Sequence, residues 1–137
     1  MSDPDRLPIE LPREWLRYAE GDLRVAERES AADEPSYHTI CFLCQSAAEK
    51  FLKGYLLAQG WELEKTHDLL ILLNRCSRHS STWDDLLPEG EVLNEYVIAG
   101  RYPGDLSVDD IGKTEVEEAL QAVRRIRARV TALMAEG

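Results

Sequence analysis

Gln45, Glu49 and Lys53 recur at every fourth residue within "CFLCQSAAEKFLKGYLLAQG", residues 41–60. On a helix they form one polar track, and with Ser46 and Lys50 they span a sector of about 140°. Two chemistries suit such a track. It can be a solvated face on which Glu49 and Lys53 make an i,i+4 ion pair. It can also wall a pocket or a dimer, with Lys53 as a point charge for phosphate and Gln45 as a source of amide hydrogen bonds. Further on stands Thr66-His67-Asp68. An imidazole there can act as a general base or a hydrogen-bonding partner. The alternative is a helix start, with Thr66 as the cap and His67 packed. The third group is Gly100-Arg101-Tyr102-Pro103. Arg101 presents a planar fork for phosphate and Tyr102 a face for a base to stack on. Otherwise Arg101 closes off helix-terminal carbonyls.

Three further groups invite plainer readings. Arg75, Arg78 and His79 complement the dipole at the end of a helix. His38, Cys41 and Cys44 have the spacing of metal ligands, but they lie in an apolar helix with no second cysteine pair. Buried thiols, and no metal site, are expected there. Arg124, Arg125, Arg127 and Arg129 suggest a solvated helix face, or a surface that holds an acidic partner.

The elements that must position these residues are helical. Pro12 suits a first turn, and Trp15, Ala19, Leu23 and Ala26 share one face of a helix over 12–31. Pro35 breaks it, and Ser36 is placed to cap a second helix that ends at Gly60. Ile40, Leu43, Cys44, Ala47, Phe51, Tyr55 and Leu56 give this helix a wide apolar face. A third helix is expected over about 67–77, capped by Thr66. A fourth is expected near 89–100, with Val92, Leu93, Tyr96 and Val97 inward. The connection between them, "SRHSSTWDDLLPEG", has no clear shape. In the last helix Thr114 and Glu117 suggest a capping box, and Val116, Leu120, Val123, Val130 and Leu133 an inner stripe. No stretch alternates with period two long enough for a strand. The expectation is an all-α, up-and-down antiparallel bundle of about five helices, with residues 1–11 a loose arm and 12–137 one domain.

The chain has 137 residues and a formal charge of −10, with a pI near 4.7. That field argues against non-specific binding to nucleic acid or anionic membrane, while leaving room for a local basic site. No apolar run is long enough to span a membrane, and the first residues do not resemble a secretory signal. Three cysteines, an odd number, fit reduced thiols and a cytoplasmic location.

"CQSAAEKFLKGYLLAQG", then "THDLLILL", then "AGRYPGD" together resemble a HEPN (higher eukaryotes and prokaryotes nucleotide-binding) domain. The likeness runs from "WLRYAEGDLRVAE" to the last helix. It implies a helical bundle, a homodimer, and a small nucleotidyltransferase as partner in a toxin–antitoxin-type pair. It also implies a nucleotide such as ATP, or RNA, as ligand, held by Gln45, Glu49, Lys53, His67, Arg101 and Tyr102; no cofactor is expected. Ribonucleases of the family carry an Arg, four to six residues, then a His. Here Arg75 and His79 are separated by three residues, and Arg101 has no histidine after it. The first reading is therefore a non-catalytic binding partner. One alternative is a metal-independent ribonuclease using His67 or His79 with Arg75 or Arg101. Another is a purely structural interaction module.

Overall fold

The computed structural model describes residues 11–99 and 108–136. The expected N-terminal arm falls almost wholly outside these residues. Among the described residues the chain forms five α-helices and no strand: α1 (Pro12–Ser30), α2 (Tyr37–Ala58), α3 (Leu69–Ser77), α4 (Leu87–Ala99) and α5 (Lys113–Glu136). They make an all-α, up-and-down bundle. No helix among them is long and apolar enough to cross a membrane.

The centre of the bundle is α2, which touches each of the other four helices. Its sequence explains why. Ile40, Cys41, Cys44, Ala47, Ala48, Phe51, Leu52, Tyr55 and Leu56 are all buried, and they face more than one side of the helix. Such a helix can sit only inside. Against it α1 buries Trp15, Ala19, Leu23 and Ala26, the expected face. The anticipated stripe of α5 is also inside, with Ile126 added and Leu133 only half-buried.

The chain ends α2 with Gly60 at φ +91°, a conformation that an L side chain rarely adopts. Gly60 N–H donates to Leu57 O, and Trp61 N–H to Leu56 O, both at 3.0 Å. This is a Schellman closure. Residues 61–68 then form a strap without regular structure that returns alongside α2. It brings His67 back to the level of Glu49 before α3 begins.

Several local expectations are corrected. Asp68, not Thr66, is the N-cap of α3, with its carboxylate accepting from Leu70 N–H at 2.9 Å. Thr66 Oγ1 instead accepts from Asp68 N–H. The helix therefore starts at Leu69 rather than 67, which leaves His67 on the strap. Ser36 holds the N-cap position of α2, but its hydroxyl bonds Thr39 Oγ1 and no backbone N–H. At α5 the cap lies earlier than the Thr114–Glu117 box. Gly112 N–H donates to Glu115 Oε1 at 2.8 Å. The shapeless connection contains a 3₁₀ turn, Ser81–Leu86, that buries Trp83 against Tyr55 with ring centroids 5.2 Å apart. That turn runs straight into α4, which starts at Leu87 rather than 89. Leu93 and Tyr96 face inward, Val92 is half-buried, and the Val97 side chain lies outside the described residues.

The arginines of α5 are clasps within the chain. Arg124 pairs with Glu27 and Arg127 with Glu20, both on α1. Arg125 pairs with Glu89 at 2.7 Å, and Arg129 with Asp85 and the Thr82 carbonyl. The Arg124–Glu27 and Arg127–Glu20 pairs are substantially exposed at both ends, so each contributes at most about 1 kcal/mol. Their effect is mainly to fix which acids face which helix.

Cys41, Cys44 and Cys76 are fully buried free thiols. Burial pushes the Cys41 thiol up to about 11, against a smaller lowering by its hydrogen bond with Tyr96. Burial pushes Cys44 up to about 12 and Cys76 further in the same direction. The folded state thus keeps protons that the unfolded chain releases above about pH 8.5. This contribution is intact below that pH and is lost as pH rises through 11 to 12. Denaturant midpoints should fall across that window, and less steeply in Cys44→Ala. A thiol reagent at about pH 8, below the ordinary thiol pKa, should label none of the three in the native protein and all three after unfolding.

Candidate functional site

The polar track of α2 is not the solvated face that its composition permits. Gln45, Glu49 and Lys53 are only 3%, 8% and 6% exposed. A buried carboxylate requires partners on both oxygens. Glu49 has them. Its Oε2 accepts from Lys53 Nζ at 2.9 Å. Its Oε1 accepts from Gln45 Nε2 at 3.2 Å and faces His67 Nδ1 at 2.8 Å. Helical spacing supplies the first two partners, because residues four apart stack on one face. The strap supplies the third.

The contact with Glu49 sets the chemistry of His67. With Nδ1 as the donor to the carboxylate, Nε2 is the ring nitrogen left for another partner. The His67 side chain is 49% exposed, so the inner end of this network is dry and its outer end reaches water. Gln45 Nε2 also lies 3.4 Å from the His67 carbonyl. One amide therefore touches both the carboxylate and the backbone of the residue that the carboxylate holds. Lys53 Nζ sits 5.5 Å from the centroid of the Trp15 ring. Its charge is thus flanked by a carboxylate and an aromatic face.

The strap is tied down along its length. At its start Trp61 meets the Arg78 guanidinium at 5.8 Å and the His79 ring edge-on at 5.3 Å. In its middle Glu64 accepts from Arg75 Nε at 2.9 Å. At its end Asn94 of α4 grips the entry to α3. Asn94 Oδ1 accepts from Leu69 N–H at 2.8 Å, and Nδ2 donates to Asp68 Oδ1 at 2.9 Å. This grip needs α3 and α4 close together, and Gly90 permits that. A Cβ at position 90 would lie 2.5 Å from Leu73 Cδ1 and 3.3 Å from Leu70 Cδ2.

Of the anticipated ligand-binding residues, Gln45, Glu49, Lys53 and His67 converge on one carboxylate. Arg101 and Tyr102 lie outside the described residues. Ser46 and Lys50, expected to flank the track, turn instead to Asp22 of α1, at 2.8 and 2.6 Å. Arg75 bonds Glu64 in the middle of the strap, and His79 meets Trp61 at its start. Two residues that serve the site carry no sequence pattern pointing to it. Trp15 reads only as one of the apolar residues of α1. Asn94 reads as an ordinary polar position on α4, and nothing near it in sequence points to α3.

The family model described as HEPN domain matches residues 12–133, most of the chain and every residue of this site. The chain belongs to the HEPN family. Two solved structures are similar to this HEPN chain. One is TT1696 from Thermus thermophilus, 30% identical, with a TM-score of 0.76, covering 88% of this chain and 96% of its own. The other is ST0689, an archaeal HEPN homologue, 25% identical, with a TM-score of 0.74, covering 90% and 97% respectively. No curated protein matches this HEPN chain.

If Glu49 is tolerated in the core because Lys53 faces it, removing one partner should cost more than removing both. Lys53→Met should lower the unfolding free energy by roughly 3–5 kcal/mol. The double variant Glu49→Gln, Lys53→Met should recover much of that loss. Urea titrations of the parent, both single variants and the double variant measure the coupling directly.

Proposed function

We propose that this HEPN protein is a non-catalytic, nucleotide-binding partner, acting as a homodimer beside a small nucleotidyltransferase in a toxin–antitoxin-type pair. The observation that carries the reading is a half-exposed imidazole whose inner nitrogen is taken by a buried carboxylate. Its outer nitrogen can then donate to a phosphate oxygen when the ring is protonated, or accept from a base or ribose donor when it is neutral. With the ring protonated, Glu49, Lys53 and His67 together carry a single net positive charge. That suits an anionic group locally, within a chain whose net charge is −10. Lys53 acts on the ligand through Glu49 rather than by direct contact, because its side chain is 6% exposed. Arg101 and Tyr102, which follow α4 in sequence, supply a phosphate fork and a stacking face in this reading. Non-catalysis is favoured because the Arg–His spacing of the family's ribonucleases is missing: three residues separate Arg75 from His79, and no histidine follows Arg101.

A second reading has one specific observation behind it. A histidine held at Nδ1 by a carboxylate is also how a general base is oriented. Under that reading the protein is a metal-independent ribonuclease with His67 as acid–base and Arg101 stabilising the negative charge that develops on the phosphorane oxygens.

The two readings separate experimentally. ATP at millimolar concentration should raise the melting temperature by mass action on the folded state. His67→Ala and Arg101→Ala should each remove that shift while leaving the protein folded. No shift with any nucleoside triphosphate overturns the binding reading. Growth arrest on expression, relieved by His67→Ala, would select the ribonuclease instead.

A further inference from the structure

His67 stands directly before the entry to α3, and a single side chain from a different helix fixes that entry. Asn94 makes two hydrogen bonds, to Asp68 Oδ1 and to Leu69 N–H, the two residues directly after His67. One uses its amide as donor and the other as acceptor. They measure 2.9 and 2.8 Å. Asp68 in turn caps α3 through Leu70 N–H, with the same oxygen that receives the Asn94 amide. The first turn of α3 and the last residues of the strap are therefore pinned to α4. The other restraints on His67, from Glu49 and Gln45, come from α2. The imidazole is thus held from two sides, by α2 through its ring and carbonyl and by α4 through its chain neighbours.

We propose that Asn94 is the positioning residue of the His67 site, gripping Asp68 and Leu69 so that the ring presents Nδ1 to Glu49 and Nε2 outward. The proposal rests on the reading of His67 as the ligand-facing group, and it extends that reading to α4, which precedes Arg101 and Tyr102 in sequence. An amide is required because one end must donate and the other accept. Asn94→Asp keeps the shape but replaces the donor with an oxygen facing the Asp68 carboxylate. Like charges at that separation repel, and the entry to α3 must shift. Asn94→Ala removes both bonds and leaves Leu69 N–H without its partner.

The test reads the ring itself. Long-range ¹⁵N NMR of the full chain distinguishes the two tautomers of neutral His67. In the parent protein the proton should sit on Nδ1, facing Glu49. In Asn94→Asp and Asn94→Ala the ring should move to a mixture of tautomers, and ATP affinity should fall at least tenfold, which is about 1.4 kcal/mol. Ile126→Val, a core change far from the strap in sequence, serves as a stability control and should leave the His67 resonances in place. If Asn94→Asp does not fold, Asn94→Ala carries the test. Unchanged tautomer and unchanged affinity in the Asn94 variants would overturn the proposal. So would an equal disturbance of His67 in Ile126→Val, because Asn94 would then be a structural clamp only. If the parent protein binds no ATP, the nucleotide reading fails on its own, and the tautomer measurement still decides the role of Asn94.

Discussion

A carboxylate in the middle of a core helix governs this molecule. Left alone, Glu49 would carry the full desolvation cost of a buried charge. It is accommodated because Lys53, one turn on, and Gln45, one turn before, fall on the same face and reach both its oxygens. What helical spacing cannot supply is a further partner from outside α2. That partner is His67, and to deliver it the chain gives up regular structure over residues 61–68. Much of the local architecture follows from that delivery: the glycine closure of α2, the capping of α3 by Asp68, and the close approach of α4 at Gly90.

The same arrangement separates one exposed ring from a buried scaffold. Gln45, Glu49 and Lys53 are buried and neutralise or satisfy one another. Of the four members of the network only the imidazole reaches the surface, and its orientation is inherited from the groups behind it. Charge on the remainder of the molecule is organised differently. The α5 arginines meet acids of α1, of α4 and of the 3₁₀ turn, and of these acids Glu89 of α4 is buried. The two pairs exposed at both ends, Arg124–Glu27 and Arg127–Glu20, set helix neighbours more than they stabilise them.

Much of this is legible in the residues. The spacing of Trp15, Ala19, Leu23 and Ala26 marks the buried face of α1, and Gly60 marks the end of α2, because both signals are local. The track at 45, 49 and 53 is visible as a track. Its burial is not, because whether a polar face meets water or a strap depends on where a loop in a different part of the chain returns. The cap of α3 is hidden for a related reason. Thr66 and Asp68 are both good capping residues, and Asp68, the one that caps, also bonds Asn94, which lies 26 residues from it. The 3₁₀ turn around Trp83 leaves little mark in the sequence, because its two buried side chains, Trp83 and Leu86, are too few to show a periodicity.

The proposed binding role depends on Glu49 holding His67 by Nδ1, which leaves Nε2 for a ligand. Following both ring nitrogens of His67 by ¹⁵N NMR during an ATP titration examines that step alone. If Glu49 sets the ring, Nε2 shifts saturably while Nδ1 keeps its proton and moves little. A titration in which ATP binds with neither nitrogen moving, or with Nδ1 as the responding atom, would contradict it.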